Sequence, residues 1–211
     1  CTEQITSKAL PLLYFDQVAV ALDLPQADNI KARVEDSITE ILMNQSSNGG
    51  FGLWGPADGD MWLDAFVTDF LSRAKARGFV VPDLALRRAL DNLRNQVNYH
   101  PDFDSGGEAL AYALMVLARE GAAAVGDLRY YADVKGDAFA TPTAMAQLGA
   151  ALASYGDQPR ADAMFRRAGL ALQTMAGPET EQIFRADYGT GFRDAAAVLT
   201  LATEAGSKVV D

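Results

Sequence analysis

Apolar residues recur along this chain at the three- and four-residue intervals of a single helix face. Val34, Ile38, Ile41 and Leu42 keep that spacing, as do Leu63, Phe66, Val67, Phe70 and Leu71, and later Leu110, Ala113, Leu114 and Leu117. Met164, Phe165, Ala168, Leu172 and Met175 repeat it, and Ala195, Val198, Leu199 and Ala202 close it. Such intervals stack side chains on one stripe of a 3.6-residue helix, whereas a half-buried strand alternates, and no six-residue stretch here alternates cleanly. The pattern predicts an all-α protein. Asn48-Gly49-Gly50, Gly78 before Pro82, Ser105-Gly106-Gly107, Gly121, Gly156 before Pro159 and Gly177-Pro178 fall between the periodic blocks, where glycine and proline end helices. The predicted helices run over 3–21, 27–45, 60–77, 83–97, 107–120, 124–134, 142–155, 159–175 and 191–205.

A second regularity concerns which helices are enclosed. Glycine-rich turns at Gly49-Gly50, Gly106-Gly107 and Gly189–Gly191 each precede a helix apolar on much of its circumference. Charged, amphipathic helices such as Arg87–Arg94 and Arg160–Arg167 lie between them. A helix apolar all round must be surrounded by others, and one with a charged face must lie outside. Alternating inner and outer helices describe an α/α toroid of helical hairpins in two concentric rings, expected here as a single domain over residues 1–211. A solenoid of the same hairpins is the alternative that local patterning leaves open.

Composition narrows the function classes. A chain of 211 residues that is 49% hydrophobic and 22% charged builds its own core without a staple. Lys+Arg 18 against Asp+Glu 28 gives a net charge of −10, which repels phosphate backbones and argues against nucleic acid as a partner. One cysteine and one histidine do not supply the four Cys/His ligands of a structural zinc site, and no metal or cofactor is expected. No apolar run approaches the roughly 18 residues of a membrane span, so direct insertion by this segment is not expected.

The densest chemistry lies in Cys1-Thr2-Glu3-Gln4. A cysteine and a glutamine three apart at a helix start share a face. The Cys1 thiol can then displace ammonia from the Gln4 carboxamide and leave an internal thioester, with glutamine's extra methylene spanning the ring. A thioester holds an acyl group on a good leaving group: it persists when dry and acylates an amine or hydroxyl when exposed. On four residues alone, a helix N-terminus with Thr2 as cap and Glu3 in the first turn is the favoured reading of the string.

The flanking sequence reverses that. Cys1-Thr2-Glu3-Gln4-Ile5-Thr6-Ser7-Lys8-Ala9-Leu10-Pro11 resembles the thioester segment of bacterial alpha-2-macroglobulins, which carries a C-L-E-Q-T-T-S-R-A-L-P-type string. Asn48-Gly49-Gly50-Phe51-Gly52-Leu53-Trp54-Gly55 and Trp62-Leu63-Asp64-Ala65-Phe66-Val67 resemble the next two blocks of that domain, in the same order. The resemblance runs through about residue 95 and is one of helix order afterwards. It implies an α/α toroid and a domain excised from a much longer chain. The implied activity is that of an endopeptidase inhibitor, not an enzyme, trapping attacking proteases covalently through their lysine amines. It also implies a periplasmic location, anchorage at the inner membrane through a lipoprotein N-terminus outside this segment, and shielding of the thioester by other domains of the same chain.

Several further residues complete the expected site. Phe51, Trp54, Met61, Trp62 and Tyr99 stand at starts of inner helices or in the loops before them, where they are expected to form the apolar wall that keeps water from the thioester. His100, the sole histidine, sits in a loop; complement relatives place a histidine beside the thioester to pass the acyl group to hydroxyls, whereas a lone loop histidine is ordinarily solvated. Asp58, Asp60 and Asp64 make an acidic cluster of the kind α/α terpene cyclases use, against which Asp60 as a helix N-cap is the simpler reading. The alternatives to covalent capture are a toroid binding a peptide or glycan reversibly and an α/α-barrel glycosidase, for which no carboxylate pair stands out. Cys1 as a lipid-bearing N-terminus is a further alternative, disfavoured because an apolar helix follows at once.

Overall fold

The computed structural model describes residues 1–23, 29–175, 185 and 187–210, and within them the protein is helical without a named strand. The all-α expectation is met. The chain forms two compact units, Cys1–Asn95 and Gln96–Asp211.

The first unit begins with α1 (Thr2–Ala9), a 3-10 turn at Leu10–Tyr14 and α2 (Phe15–Ala21). Here the sequence predicted one helix over 3–21. Pro11 has no N–H to donate to the preceding turn, and the chain tightens at that point to a 3-10 turn with proline in its first positions. Next come α3 (Ile30–Met43), α4 (Met61–Ala76) and α5 (Asp83–Asn98), the last of which carries the chain past the unit boundary. Residues 27 and 28, predicted to open α3, lie outside the described residues, as does the predicted turn at Gly177-Pro178.

Burial follows the sequence pattern. Every residue of α4 from Leu63 to Ser72 is buried, so this helix is enclosed, while α5 buries only the stripe Leu86, Ala89, Leu93 and Val97. Ala9, Leu13, Val34, Ile38, Ile41, Phe51, Val67 and Phe70 pack into one core. The 3-10 turn is fastened to α4 by Arg73, whose Nη1 donates to the Tyr14 hydroxyl at 2.7 Å and whose Nε donates to Asp69 at 2.8 Å. Burial works against the Arg73 charge, but Asp69 and the Tyr14 hydroxyl more than offset it and hold the guanidinium above its ordinary value.

The second unit contains α6 (Glu108–Arg119), α7 (Val125–Val134), α8 (Pro142–Ser154), α9 (Gln158–Met175) and α10 (Gly191–Glu204). Its enclosed helices are α6, buried from Leu110 to Ala118, and α8, while α7 and α9 bury single stripes. Enclosed and one-sided helices thus alternate along the chain, the property on which the toroid expectation rested. One assignment is corrected. The helix after Gly189–Gly191 is not enclosed: α10 exposes Leu199 and leaves Phe192 92% exposed. The enclosed helix is α8, which opens on the Thr141 cap and Pro142 rather than on a glycine turn. Asp194 of α10 is buried because Thr143 donates to it at 2.6 Å and Arg185 bridges it to Asp187.

The turn between α3 and α4 depends on glycine at one position above the rest. Gly49 has φ +98°, and a Cβ there would lie inside the contact radius of the Arg88 carbonyl oxygen on α5. Gly49→Ala is therefore expected to cost the first unit about 2–3 kcal/mol. Both tryptophans of the chain, Trp54 and Trp62, lie in this unit, so urea denaturation followed by tryptophan fluorescence reads the loss directly.

Candidate functional site

Cys1 is the N-cap of α1: its carbonyl accepts the first intrahelical bond from the Ile5 N–H at 3.1 Å, and its side chain makes no capping hydrogen bond. Gln4 is then the third helical residue. N-cap and third residue are the positions a capping box links, each side chain reaching back to the other residue's backbone N–H. Here they carry a thiol and a carboxamide. Cys1 is half-buried and Gln4 exposed, so the pair lies at the surface. The expectation that Thr2 caps the helix is corrected, because Thr2 already lies inside it.

Thr2 has a different task. It is fully buried, at 0% exposure. Its backbone N–H donates to the Leu53 carbonyl at 2.9 Å and its hydroxyl donates to the Gly52 carbonyl at 2.6 Å. The same hydroxyl accepts from Asn44 Nδ2 at 2.9 Å. The first residue of the helix is thereby fastened to the turn at 44–53, and Thr6 adds a bond from its own hydroxyl to the Thr2 carbonyl at 2.8 Å.

That turn is held from below by Asp64, 1% exposed in the first turn of α4. Its carboxylate accepts from the Phe51 N–H at 2.8 Å and from Asn92 Nδ2 at 2.9 Å. Gly52 N–H donates to the Asn44 carbonyl at 3.1 Å, and Gln45 Nε2 reaches the Ala85 carbonyl at 2.9 Å. A chain of bonds therefore runs from Asn92 and Asp64 through Phe51, Gly52 and Asn44 to Thr2, and ends beside Cys1.

The residues expected to form the apolar wall divide. Phe51 is fully buried in the core, where it anchors the turn. Met61 and Trp62 are half-buried at the start of α4, with the Trp62 ring 5.1 Å from that of Phe66. Trp54 follows directly on the Gly52 and Leu53 carbonyls that hold Thr2 and is 81% exposed. Tyr99 and His100 belong to the second unit. Tyr99 is 82% exposed. His100 rests edge-on against Phe103, its Nδ1 2.7 Å from the Pro101 carbonyl. Because a carbonyl only accepts, that bond puts the proton on Nδ1 and leaves the lone pair of a neutral ring on Nε2.

The acidic cluster separates into structural roles. Asp60 caps α4 by accepting from the Leu63 N–H at 2.9 Å, as the sequence suggested. Asp58 accepts from Asn48, and Asp64 serves the turn. Among the described residues no group of three His, Cys, Asp or Glu is placed to hold a metal ion, and no helix is long and apolar enough to cross a membrane. Sequence reasoning missed Asn44, Asn92 and the bonds of Thr2 to the turn. The partners lie 42, 28 and 50 residues away, beyond any local pattern. A readable signal was Asp64 itself, an acid among the apolar residues that open α4.

No protein-family model matches the chain. In sequence it is 34% identical to the alpha-2-macroglobulin of Escherichia coli K12 over 97% of its own length, which spans 13% of that relative. In structure it matches Salmonella alpha-2-macroglobulin reacted with methylamine at a TM-score of 0.80 and 33% identity, covering 99% of this chain and 14% of that one. It matches Escherichia coli alpha-2-macroglobulin activated by porcine elastase at 0.78 and 33% identity, covering 97% of this chain and 19% of that one.

Proposed function

The homologues of this chain are bacterial alpha-2-macroglobulins, and from that premise we propose that it is a thioester domain that captures attacking proteases covalently. The observation that carries the reading is Cys1 and Gln4 at the N-cap and third residue of a helix whose start is fastened to the 44–53 turn. In the forming step the Cys1 sulfur adds to the Gln4 side-chain carbonyl carbon, the carbon–nitrogen bond breaks, and ammonia leaves with the thiol proton. In the capturing step a lysine amine attacks the same carbon, the carbon–sulfur bond breaks, and the amine proton passes to the departing Cys1 thiolate. The chain is consumed once per capture, so it acts as an inhibitor and not as an enzyme.

Two features of the solved relatives support this. One was reacted with methylamine, a small amine of the kind a thioester acylates, and one was activated by a protease, elastase. Cleavage elsewhere in the full-length protein would expose the pair, and other domains of the same chain would shield it beforehand. The half-buried Met61 and Trp62 and the exposed Trp54 are the wall against which such a domain would close. The periplasm, with anchorage at the inner membrane, is the compartment where such a trap meets foreign proteases.

Incubating the full-length protein with trypsin tests the reading. An adduct that survives boiling in denaturant is the expected product. If lysine is the acceptor, the linkage is an amide and resists hydroxylamine. If a hydroxyl is the acceptor, the linkage is an ester and hydroxylamine releases it. A complex that falls apart on denaturation would contradict covalent capture.

A further inference from the structure

We propose that Thr2 is a positioning residue for the Cys1–Gln4 pair, fixing the start of α1 in the register at which thiol and carboxamide meet. The inference rests on the thioester reading above.

The first four N–H groups of a helix have no partner within it, and the first turn frays readily. A reactive pair placed on the N-cap and third residue would be parted by such fraying, and water would reach the acyl carbon. Two separate contacts counter this at Thr2. Its N–H, one of the four unpartnered donors, is taken by the Leu53 carbonyl at 2.9 Å. That bond is available to any residue except proline.

The hydroxyl is specific to the side chain. It donates to the Gly52 carbonyl at 2.6 Å and accepts from Asn44 Nδ2 at 2.9 Å. Threonine and serine alone offer, at this size and at 0% exposure, a single side-chain oxygen that both donates and accepts. The partners are themselves fixed, since the Gly52 N–H donates back to the Asn44 carbonyl at 3.1 Å. Thr2 is therefore locked between two points of one rigid turn, and Cys1 precedes it by a single peptide bond. No bond to Thr2 forms or breaks in the reaction; its effect is geometric.

Thr2→Val keeps the size and the branched Cβ while leaving the Gly52 carbonyl and the Asn44 amide without the hydroxyl. Thr2→Ser keeps the hydroxyl. The readout is intact mass of the full-length protein over time in buffer free of amines, at a temperature well below unfolding. It reports the fraction carrying the thioester and its rate of hydrolysis.

The expected result is hydrolysis about tenfold faster in Thr2→Val, or a correspondingly smaller loaded fraction, with Thr2→Ser at the wild-type rate. Asn44→Ala, which removes only the donor to the hydroxyl, shifts the rate in the same direction and serves if the valine variant does not fold. Wild-type lifetime in Thr2→Val, or a serine variant as fast as the valine one, would overturn the positioning role and leave the thioester reading intact. A wild-type protein that never carries the thioester would overturn both.

Discussion

Asp64→Ala is expected to destabilise the first unit by about 3–4 kcal/mol. The carboxylate is 1% exposed and accepts from the Phe51 N–H and the Asn92 amide. Deleting it leaves the N–H of a fully buried phenylalanine without its acceptor and opens a cavity under the turn. Gly59 makes the site less forgiving: a Cβ there would already crowd Asp64 Oδ1, so the loop is built around the carboxylate's present position. Asp64→Asn should be milder, because its oxygen can still accept from Phe51 while its new amide faces that of Asn92. Tryptophan fluorescence during urea unfolding separates the three proteins, since Trp54 and Trp62 both report on this unit. A loss below about 1 kcal/mol in the alanine variant would mean that the carboxylate does not organise the turn.

Cys1→Ala is expected to abolish adduct formation altogether while leaving folding nearly unchanged. In the proposed chemistry the thiol is both the nucleophile that displaces ammonia from Gln4 and the leaving group on which capture depends, and no other thiol is present in the first turn. Its structural contribution is small: Cys1 is half-buried and its side chain caps nothing, so the change in stability should stay within about 0.5 kcal/mol. Trypsin adducts and methylamine uptake should both fall to background with the unfolding midpoint held. A reversible peptide- or glycan-binding module would keep its binding in this variant, so persistence of trypsin binding at wild-type strength would favour that reading.

Much of the helical frame was legible because apolar periodicity and glycine–proline punctuation agree with each other. The predicted helix over 60–77 is Met61–Ala76, and that over 142–155 is Pro142–Ser154. The failures have physical causes. Hydrophobic spacing runs on through Pro11, but the donor missing there interrupts the helix. α10 looked enclosed because its residues are apolar, yet Phe192 and Leu199 remain exposed, and apolarity alone does not say what covers a surface. The placement of Cys1 and Gln4 at one helix start was legible because their relation is local. Phe51 was placed in the wall although it is core, and the bonds of Thr2 to Gly52 and of Asp64 to Phe51 were invisible because they join residues brought together only by folding.

Covalent capture is tested most directly by the intact mass of the full-length protein, measured before and after methylamine. Loss of ammonia on ring closure predicts a mass about 17 Da below that of the sequence, followed by stoichiometric uptake of one methylamine and the appearance of one free thiol. A mass equal to that of the sequence, with no methylamine incorporated, would contradict the account.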